Sequence, residues 1–543
     1  MEQVIQRLTP PRQFVQRAFN NRLIRPWIVV LMACVALILF NLYIAQHFIA
    51  YTSDDVSWQT ILLTWSPFNG HKLYLGGSDN YIIRAPLLAL LVHILGPTRR
   101  ALFIESYILE LGNFVLFFTA VMYFLRKVRA KLTYSNMLPL IWLASFGLTF
   151  ATLFLNSNLR SFEIGMSFLF FALVNELLTR TARLKFKQWV LLVVSSLSAG
   201  VLIFNDPYFL YFTVIPIGLL FLFLALYKRI PIQKLLVIVM WCILALLFAI
   251  TISKLVSLMG IVIPYADPLE FVAYSGLFSN ITLALHGLLL IFSADFFGQK
   301  VFGISAVSAI INLLIVGFSL WLLRMSSKAR RDNDEPTTLW ILYFGFIAAL
   351  VITVYVVSTL AIDITSYRYF VMLVFAFVAL LVLAGSKLVH RQRLVLNGLL
   401  ILAILGNVCA SIAEAHRLQH TPMDSRANSV NYSLISSIQE MGLTKGYGSY
   451  WNGDINTYLS GGKTNFLPVV CQQGKTVPYF WLVDGDNFKR SVSSSFYVID
   501  PAFPSPPVCT KQQLLSQFGT PSKDVFVAGK EVLVYSYDIQ HRM

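Results

Sequence analysis

Long apolar runs that alternate with short basic clusters constrain the fold of this sequence more than any other feature. A helix needs about 20 apolar residues to cross the hydrocarbon core of a membrane. Eleven runs meet that length, at residues 27–50, 102–125, 136–155, 162–179, 188–205, 208–227, 235–262, 301–323, 338–361, 369–386 and 394–412. Only 13% of the residues are charged, against roughly 25% in soluble domains. We therefore predict an all-α polytopic membrane bundle of about eleven transmembrane helices.

Basic residues predict how this bundle is oriented. The N-terminal segment carries five arginines, and basic clusters occupy every second connection after it, at residues 126–131, 180–187, 228–234, 324–331 and 387–393. The positive-inside rule places such segments in the cytoplasm, so eleven crossings put the C-terminal part on the other side. We predict a multi-pass protein of the inner or plasma membrane. The net charge of +16 then reflects topology and does not indicate a nucleic-acid-binding surface.

Composition divides the chain into three predicted parts. Residues 1–26 form a cytoplasmic segment, and residues 27–412 form the transmembrane domain with a long outer loop at 51–100. Residues 413–543 form a small extracytoplasmic α/β domain. The N-terminal segment has no small-residue cleavage site after a short apolar core, so the first helix is expected to insert the chain and to remain in place.

The predicted α/β domain carries clear local signals. Residues 428–441, followed by Gly442, are typical of a helix that ends at a glycine. Four apolar or aromatic stretches predict strands, at residues 447–451, 466–470, 496–499 and 524–537, the last being a hairpin that turns near Ala528-Gly529-Lys530. Cys471 and Cys509 are the only cysteines of this part, and outside the cytoplasm we expect a disulfide between them.

Two adjacent carboxylates, Asp54 and Asp55, follow the first apolar run and open the loop 51–100. Neighbouring like charges shift the pKa of at least one carboxyl group unless a cation or a substrate proton lies between them. Such a group can act as a general base or bind a metal. A solvated pair of loop acids is the plainer alternative. The loop also contains Trp58 and an apolar run at 85–95 that is too short to span, and we expect it to lie at the interface.

Other ionisable residues lie near the same predicted face. Arg160 and Glu163 are three residues apart and so share a helix face. They form either a structural ion pair or part of a site, where Arg160 beside a helix N-terminus would favour a phosphate. Asp206 precedes Pro207 and is either a helix cap or another site acid.

Lys254 and Arg368 are two further cations, and each has either a structural role or a role in a site. Lys254 lies near the outer end of its apolar run and either snorkels outward or contacts a lipid phosphate. Arg368, next to Tyr369, either clamps a phosphate or anchors the chain at the interface. A second outer segment, 263–300, contains an apolar part at 281–292 that we also expect to be too short to cross the membrane.

The order of these features resembles that of the GT-C glycosyltransferases, in particular the protein O-mannosyltransferase and aminoarabinose-transferase type. The resemblance begins with the acidic pair directly after the first helix and the aromatic surface loop. It continues in short motifs, which are Arg84-Ala85-Pro86-Leu87-Leu88, Arg160 with Glu163, Tyr367-Arg368-Tyr369, Lys445-Gly446-Tyr447-Gly448-Ser449-Tyr450-Trp451 and Tyr458-Leu459-Ser460-Gly461-Gly462.

Enzymes of this type take a sugar from a polyprenyl-phosphate carrier and attach it to an acceptor outside the cytoplasm, usually with inversion. The resemblance implies a GT-C-like fold and a general base at Asp54 or Asp55, of which Asp54 is preferred. The residues implied at the donor phosphate are Arg160, Arg368, Lys254 and Arg84. The residues implied in supporting roles are Glu163, Asp206, Trp58 and Tyr369.

The implied partners are a polyprenyl-phosphate sugar donor, membrane lipid, and a glycan, lipid or protein acceptor. Some enzymes of this type use a divalent metal, but the sequence holds no decisive ligand set, so no cofactor is assigned. Two other classes stay open. A lipid-linked glycan transporter or flippase would show paired repeats and broken helices near the midplane. A non-catalytic membrane accessory subunit would tolerate loss of the carboxylates.

Overall fold

The computed structural model describes residues 25–47, 50–62, 72–75, 84–127, 133–146, 161–179, 186–263, 270–329, 335–362, 364–385, 388–419, 428–500 and 507–543. The helices before residue 420 are α1 (Arg25–Gln46), α2 (Ser53–Leu62), α3 (Arg84–Leu95), α4 (Arg99–Lys127), α5 (Tyr134–Ala144), α6 (Ser161–Thr179), α7 (Phe186–Asn205), α8 (Ile215–Leu226), α9 (Ile232–Leu258), α10 (Tyr274–Ile291), α11 (Ile304–Ala329), α12 (Glu335–Val357), α13 (Val371–Gly385) and α14 (His390–Gln419). A π-helical turn, Leu210–Val214, precedes α8, and a 3-10 helix, Ile364–Phe370, precedes α13.

Within these described stretches, nine helices are long and apolar enough to cross a membrane, so the chain is a multi-pass membrane protein. Eight of them coincide with predicted spans, namely α1, α4, α7, α9, α11, α12, α13 and α14. The predicted span 162–179 is α6, and 208–227 is the π-helical turn with α8. The span 136–155 is described only to residue 146, as α5. The predicted helical membrane bundle is confirmed.

The ninth helix, α10, differs from the expectation for residues 281–292. It contains 18 residues, because it also includes the polar turns that begin at Tyr274. The side-chain amide of Asn280 donates to the carbonyl oxygens of Val356 and Ser358, at 3.0 Å each. These bonds hold the first part of α10 against the end of α12. By length and composition α10 is therefore a candidate span, whereas the placement of residues 263–300 on the outer side stays a prediction that helix length does not test.

Contacts along the bundle show which helices run in the same direction. Asn113 accepts a hydrogen bond from the Gly165 amide at 2.6 Å, and further along both helices Tyr123 donates to Glu176 at 2.7 Å. Helices α4 and α6 therefore run in the same direction. The predicted spans 102–125 and 162–179 must do so as well, because one further crossing, 136–155, lies between them. A Cβ atom at Gly165 would lie 2.6 Å from the Asn113 carbonyl oxygen, so a glycine is required for this close approach.

Buried amides join α5, α11 and α14. The Asn312 side-chain oxygen accepts from the Trp142 indole at 2.8 Å, and its nitrogen donates to Asn407 at 2.8 Å. The Asn407 oxygen also accepts from Ser308 at 2.8 Å, and the Asn407 nitrogen donates to Ser145 at 3.1 Å. Because lipid tails offer no hydrogen-bond partners, such interhelical bonds satisfy polar groups and fix which faces meet.

Residues 428–543, the C-terminal region, form an α/β unit. Its helices are α15 (Ser429–Glu440), α16 (Asp454–Leu459), α17 (Asp486–Lys489) and α18 (Lys511–Phe518). Six of its strands form one sheet, in the order β5 (Lys475–Pro478), β4 (Asn465–Gln472), β3 (Lys445–Gly448), β7 (Ser495–Ile499), β9 (Lys530–Tyr535) and β8 (Lys523–Val527). Strand β3 is parallel to β4 and β7, and the other pairs are antiparallel.

Alternating side chains of this sheet supply two cores. Phe496 and Val498 on β7 pack with α15 residues such as Ile438, whereas the intervening Tyr497 packs with Phe518 of α18. This is the period of two expected for a strand buried on both faces.

Several local predictions for the C-terminal region can be compared with these elements. Gly442 follows α15 with a φ of 73°, which fits the predicted glycine stop. The β8–β9 hairpin turns at Ala528 and Gly529, with φ values of 51° and 78°, the left-handed pair that a tight hairpin turn requires. Cys471 and Cys509 form a disulfide, which ties the end of β4 to the segment before α18.

A small second sheet joins three distant parts of the chain. Strand β1 (Leu73–Tyr74) pairs in parallel with β2 (Ile261–Val262) and antiparallel with β6 (Val483–Asp484). The first comes from the loop after α1, the second from the segment after α9, and the third from the C-terminal region. The sheet therefore brings the predicted loop 51–100, the residues just before the predicted outer segment 263–300, and the C-terminal region together.

A buried ammonium group holds the end of the chain to β3. Lys445 is 2% exposed, and its Nζ lies within 3.1 Å of the carbonyl oxygens of Phe488 and Arg490 and of side-chain oxygens of Asp538 and Gln540. Burial lowers the pKa of Lys445, with the opposing effect of Asp538 smaller. Burial also raises the pKa of Asp538, but hydrogen bonds to its charged form outweigh that effect and lower the pKa overall.

We predict that Lys445→Met destabilises the C-terminal region strongly. It leaves the Asp538 carboxylate buried without its cation, and breaking a buried pair in this way costs about 3–5 kcal/mol. Lys489→Met is the matched control, because Lys489 pairs with Asp486 at 2.5 Å but is 77% exposed. Thermal unfolding of the purified protein should show a large loss for the first variant only. Equal melting temperatures for both variants would contradict the assignment.

Candidate functional site

The acidic pair predicted as the centre of the site lies on α2. Asp54 and Asp55 occupy the first turn of this helix, where carboxylates are stabilised by the helix macrodipole. They therefore lie on a separate short helix and not in an irregular loop at the exit of α1. The side chains of Asp54, Asp55 and Trp58 lie outside the described part of the chain.

One face of α2 is buried between the C-terminal region and the helices α3 and α4. The buried residues are Ser53, Val56, Ser57, Thr60 and Ile61, each at most 5% exposed. By the helical repeat of 3.6 residues, position 55 lies opposite this buried face, whereas position 54 lies at its edge, next to Ile61. The buried face of α2 and the acidic turn therefore adjoin at position 54.

Arg84 is paired with a carboxylate that the sequence analysis did not identify. At the start of α3 its guanidinium makes a bidentate ion pair with Glu105 of α4, with Nε to Oε1 at 2.5 Å. Glu105 is fully buried, and the Arg84 side chain is 16% exposed. A bidentate pair of this kind orients both groups. Arg84 was expected to offer its positive charge to a donor phosphate. Glu105 already balances that charge.

A second group of predicted residues comes together at the start of α6, the end of α7 and the 3-10 helix before α13. Asn205 donates to Glu163 at 2.7 Å, and both side chains are buried. The Tyr208 and Tyr369 ring centroids are 5.1 Å apart, and the Arg368 guanidinium lies 5.3 Å from the Tyr369 ring centroid. We call this group the Arg368 cluster, and its members are Glu163, Asn205, Asp206, Tyr208, Arg368 and Tyr369.

Asp206 acts as a helix cap within this cluster. Its Oδ1 accepts from the Tyr208 amide at 2.9 Å, and its carbonyl oxygen accepts from the Phe209 amide at 2.9 Å. These bonds satisfy backbone groups at the turn that leads into the π-helical turn before α8. Asp206 can cap this turn and also serve as a site acid, because a carboxylate can accept more hydrogen bonds than the one from the Tyr208 amide.

The remaining predicted phosphate residues are not brought to this cluster by any described contact. Lys254 on α9 has an exposed side chain, and no hydrogen bond or ion pair of its ammonium group is found among the described residues. Arg160 lies outside the described residues. Of the three proposed cations that the structure describes, Arg368 is the one placed among other predicted site residues.

Glu110 is a second carboxylate that the sequence analysis missed. It is 5% exposed, and its Oε2 has no hydrogen-bond partner within the described part of the chain. Because α4 and α6 run parallel and Asn113 meets Gly165, Glu110 lies at about the depth of Glu163. A carboxylate inside the apolar run 102–125 was the signal for it, since ionisable residues at membrane depth usually face a cavity or pathway.

Helix α4 contacts both the Arg84–Glu105 pair and α6, the helix that carries Glu163 of the Arg368 cluster. Glu105 contacts Arg84 near α2, and Asn113 contacts the first turns of α6, about 12 Å further along the axis at 1.5 Å per residue.

Among the described side chains, no group of three or more His, Cys, Asp or Glu residues has the arrangement of a metal site.

Comparisons with solved structures show which known fold this chain shares. The structure is similar to ArnT from Cupriavidus metallidurans in the apo state, with a TM-score of 0.55 and 11% identity, over 94% of this chain and 97% of that one. ArnT from the same organism bound to undecaprenyl phosphate gives a TM-score of 0.51 and 9% identity, over 94% and 98% of the two chains. No protein-family model and no curated protein matches the sequence. The chain therefore shares the ArnT fold, a membrane helix bundle followed by a C-terminal region with a mixed sheet, over almost its whole length.

Proposed function

We propose that this chain is an integral-membrane glycosyltransferase of the GT-C type. It would move a sugar from a polyprenyl-phosphate donor to an acceptor hydroxyl on the extracytoplasmic side, with inversion. The observation that carries the proposal is the fold similarity to ArnT over 94% of the chain, together with the ArnT structure that holds undecaprenyl phosphate. The acidic pair after the first helix and the Tyr367-Arg368-Tyr369 motif support the same function from the sequence.

The proposed orientation has the N-terminus in the cytoplasm and the C-terminal region outside. Its support is the distribution of basic clusters and the disulfide between Cys471 and Cys509, which is typical of an oxidising compartment. In this orientation α2, the small sheet of β1, β2 and β6, and the Arg368 cluster all belong to the outer side, where a lipid-linked donor and an acceptor can meet.

In the proposed reaction, a carboxylate of α2 removes the proton of the acceptor hydroxyl. The acceptor oxygen then bonds to the anomeric carbon as the bond from that carbon to the donor phosphate breaks on the opposite face. Polyprenyl phosphate leaves with the negative charge that develops in this step. Stabilising such charge in a dry site is usually the largest catalytic contribution, and we assign it to Arg368, whose stacking on Tyr369 orients the guanidinium.

We predict that replacing the proposed base removes most of the transfer activity. Asp54→Asn should lower kcat by about 100- to 10,000-fold, the range for loss of a general base, and Asp55→Asn should have the smaller effect. The assay uses purified protein, labelled polyprenyl-phosphate sugars and a membrane extract that supplies acceptors. Full turnover by both single variants and the double variant would exclude these residues as the base. Vesicle crossing of an intact lipid-linked sugar would instead indicate a flippase.

We predict that Arg368→Ala lowers kcat/KM for the donor by about 100-fold or more, the effect of removing one charge-stabilising donor. Arg368→Lys should recover part of that loss, because it keeps the charge but not the planar guanidinium. Arg417→Ala is the matched control, since Arg417 pairs with Glu414 at the end of α14 and its side chain is 73% exposed. Equal transfer rates for Arg368→Ala and the control would remove Arg368 from the site.

We predict that Arg84 acts mainly through its pair with Glu105. Arg84→Met alone should destabilise the protein by about 3–5 kcal/mol, because Glu105 stays buried without a cation. Adding Glu105→Leu should recover most of that stability, because no buried charge is then left unpaired. Thermal unfolding measures both effects. If the stable double variant has lost donor binding, Arg84 also contacts the phosphate.

A further inference from the structure

Asn428 makes an unusual contact with the segment that leads into α2. Its side-chain oxygen accepts from the Tyr51 amide at 3.0 Å, and its side-chain nitrogen donates to the Tyr51 carbonyl oxygen at 2.9 Å. The side chain thus makes both hydrogen bonds that a neighbouring strand residue would make. Asn428 is fully buried and Tyr51 is 3% exposed. The two residues are 377 positions apart in sequence.

This contact replaces a local role that Asn428 would otherwise have. Asn428 is the N-cap residue of α15, but its side chain makes no capping bond to that helix. An asparagine at an N-cap normally accepts a hydrogen bond from the backbone of the following turn. Here the amide is directed to Tyr51 instead. A residue that departs from its local preference is a sign that a tertiary or functional contact determines it.

Helix α16 holds the rest of α2. The Thr60 hydroxyl donates to the Asp454 carbonyl oxygen at 3.1 Å, and Ile455 and Tyr458 pack in one buried cluster with Tyr51 and Val56. Asn431 donates to Asn456 of α16 at 3.0 Å and accepts from Asn428 at 3.1 Å. The contacts at the beginning of α2 and those along its buried face therefore belong to one hydrogen-bonded unit of the C-terminal region.

We infer that Asn428 is a positioning residue for the acidic helix, so that the C-terminal region completes the transfer site. Tyr51 is two residues before the start of α2, so fixing its backbone fixes where the first turn of α2 begins. The carboxylates of that turn can reach an acceptor hydroxyl only when the turn is held in one place. The catalytic part of this inference rests on the proposed function, whereas the docking of α2 does not.

The test uses the full-length protein in lipid nanodiscs and compares Asn428→Ala with Gln517→Ala. Gln517 of α18 makes the same kind of reciprocal pair, accepting from the Thr476 amide at 2.7 Å and donating to the Thr476 carbonyl oxygen at 3.1 Å. That pair joins α18 to the strand β5, and no contact between it and the described residues of α2 is found. The control thus removes a matched pair of hydrogen bonds from the same region.

Hydrogen exchange measures the docking directly. In Asn428→Ala the backbone amides of α2 should exchange about tenfold faster, as expected for loss of buried hydrogen bonds. In Gln517→Ala they should exchange at the wild-type rate. Unchanged exchange of α2 in Asn428→Ala would overturn the inference whether or not the protein transfers a sugar.

Transfer kinetics measure the consequence for the site. Asn428→Ala should lower kcat by about 10- to 100-fold, the cost of displacing a catalytic group by about 1 Å. The KM for a labelled polyprenyl-phosphate sugar should change little, because Arg368 lies on another element. Gln517→Ala should keep the wild-type kcat. A wild-type kcat in Asn428→Ala would overturn the inference, whereas no transfer by the wild-type protein would overturn the proposed function and leave the exchange result valid.

Asn428→Asp provides a second variant that does not depend on the first one folding. Its ionised carboxylate accepts from the Tyr51 amide but cannot donate to the Tyr51 carbonyl oxygen, whereas the protonated form can do both. The ratio of variant to wild-type kcat should therefore rise as the pH falls. A ratio that does not depend on pH would contradict the paired hydrogen bonds as the cause.

Discussion

Polar groups inside a membrane bundle must be satisfied by other parts of the protein, because hydrocarbon supplies no hydrogen-bond partners. This constraint governs the packing of the helices seen here. Asn312 and Asn407 join α5, α11 and α14, and Asn205 pairs with Glu163 between α7 and α6. Each of these bonds selects one rotation of a helix about its axis, which apolar packing alone specifies only weakly. The buried polar residues therefore determine which helix faces meet and where the ends of the helices lie.

The segments that connect the helices obey the same constraint. The sheet of β1, β2 and β6 supplies backbone partners for two loops and the C-terminal region, and Asn428 does so for Tyr51. Short segments of two residues cannot form a stable sheet alone, so each depends on the other two. The C-terminal region is consequently part of the framework that holds the acidic helix, and its own stability, including the buried Lys445, affects the site.

The sequence predicted the candidate site only in part, and the reason differs from residue to residue. Glu163, Asp206 and Arg368 were recognisable because charged residues at the ends of apolar runs are conspicuous, and Tyr369 because it stands next to Arg368. Glu105 and Glu110 fall within a predicted span and were passed over, although a carboxylate in an apolar run carries the same signal. The pairing of Arg84 with Glu105 was not predictable, because it depends on the packing of α3 against α4 and not on either segment alone.

Features decided by short-range physics were determined by the sequence itself. Membrane-spanning helices follow from the length of apolar runs, the end of α15 from Gly442, and the β8–β9 turn from Ala528 and Gly529, because each depends on neighbouring residues only. The tertiary structure alone decided which groups meet across the chain. Tyr51 and Asn428 are 377 residues apart, and either could have formed other bonds, since a hydrogen-bonding group has many chemically equivalent partners. Only the assembled bundle and C-terminal region bring this pair together, and with it the acidic helix into its place.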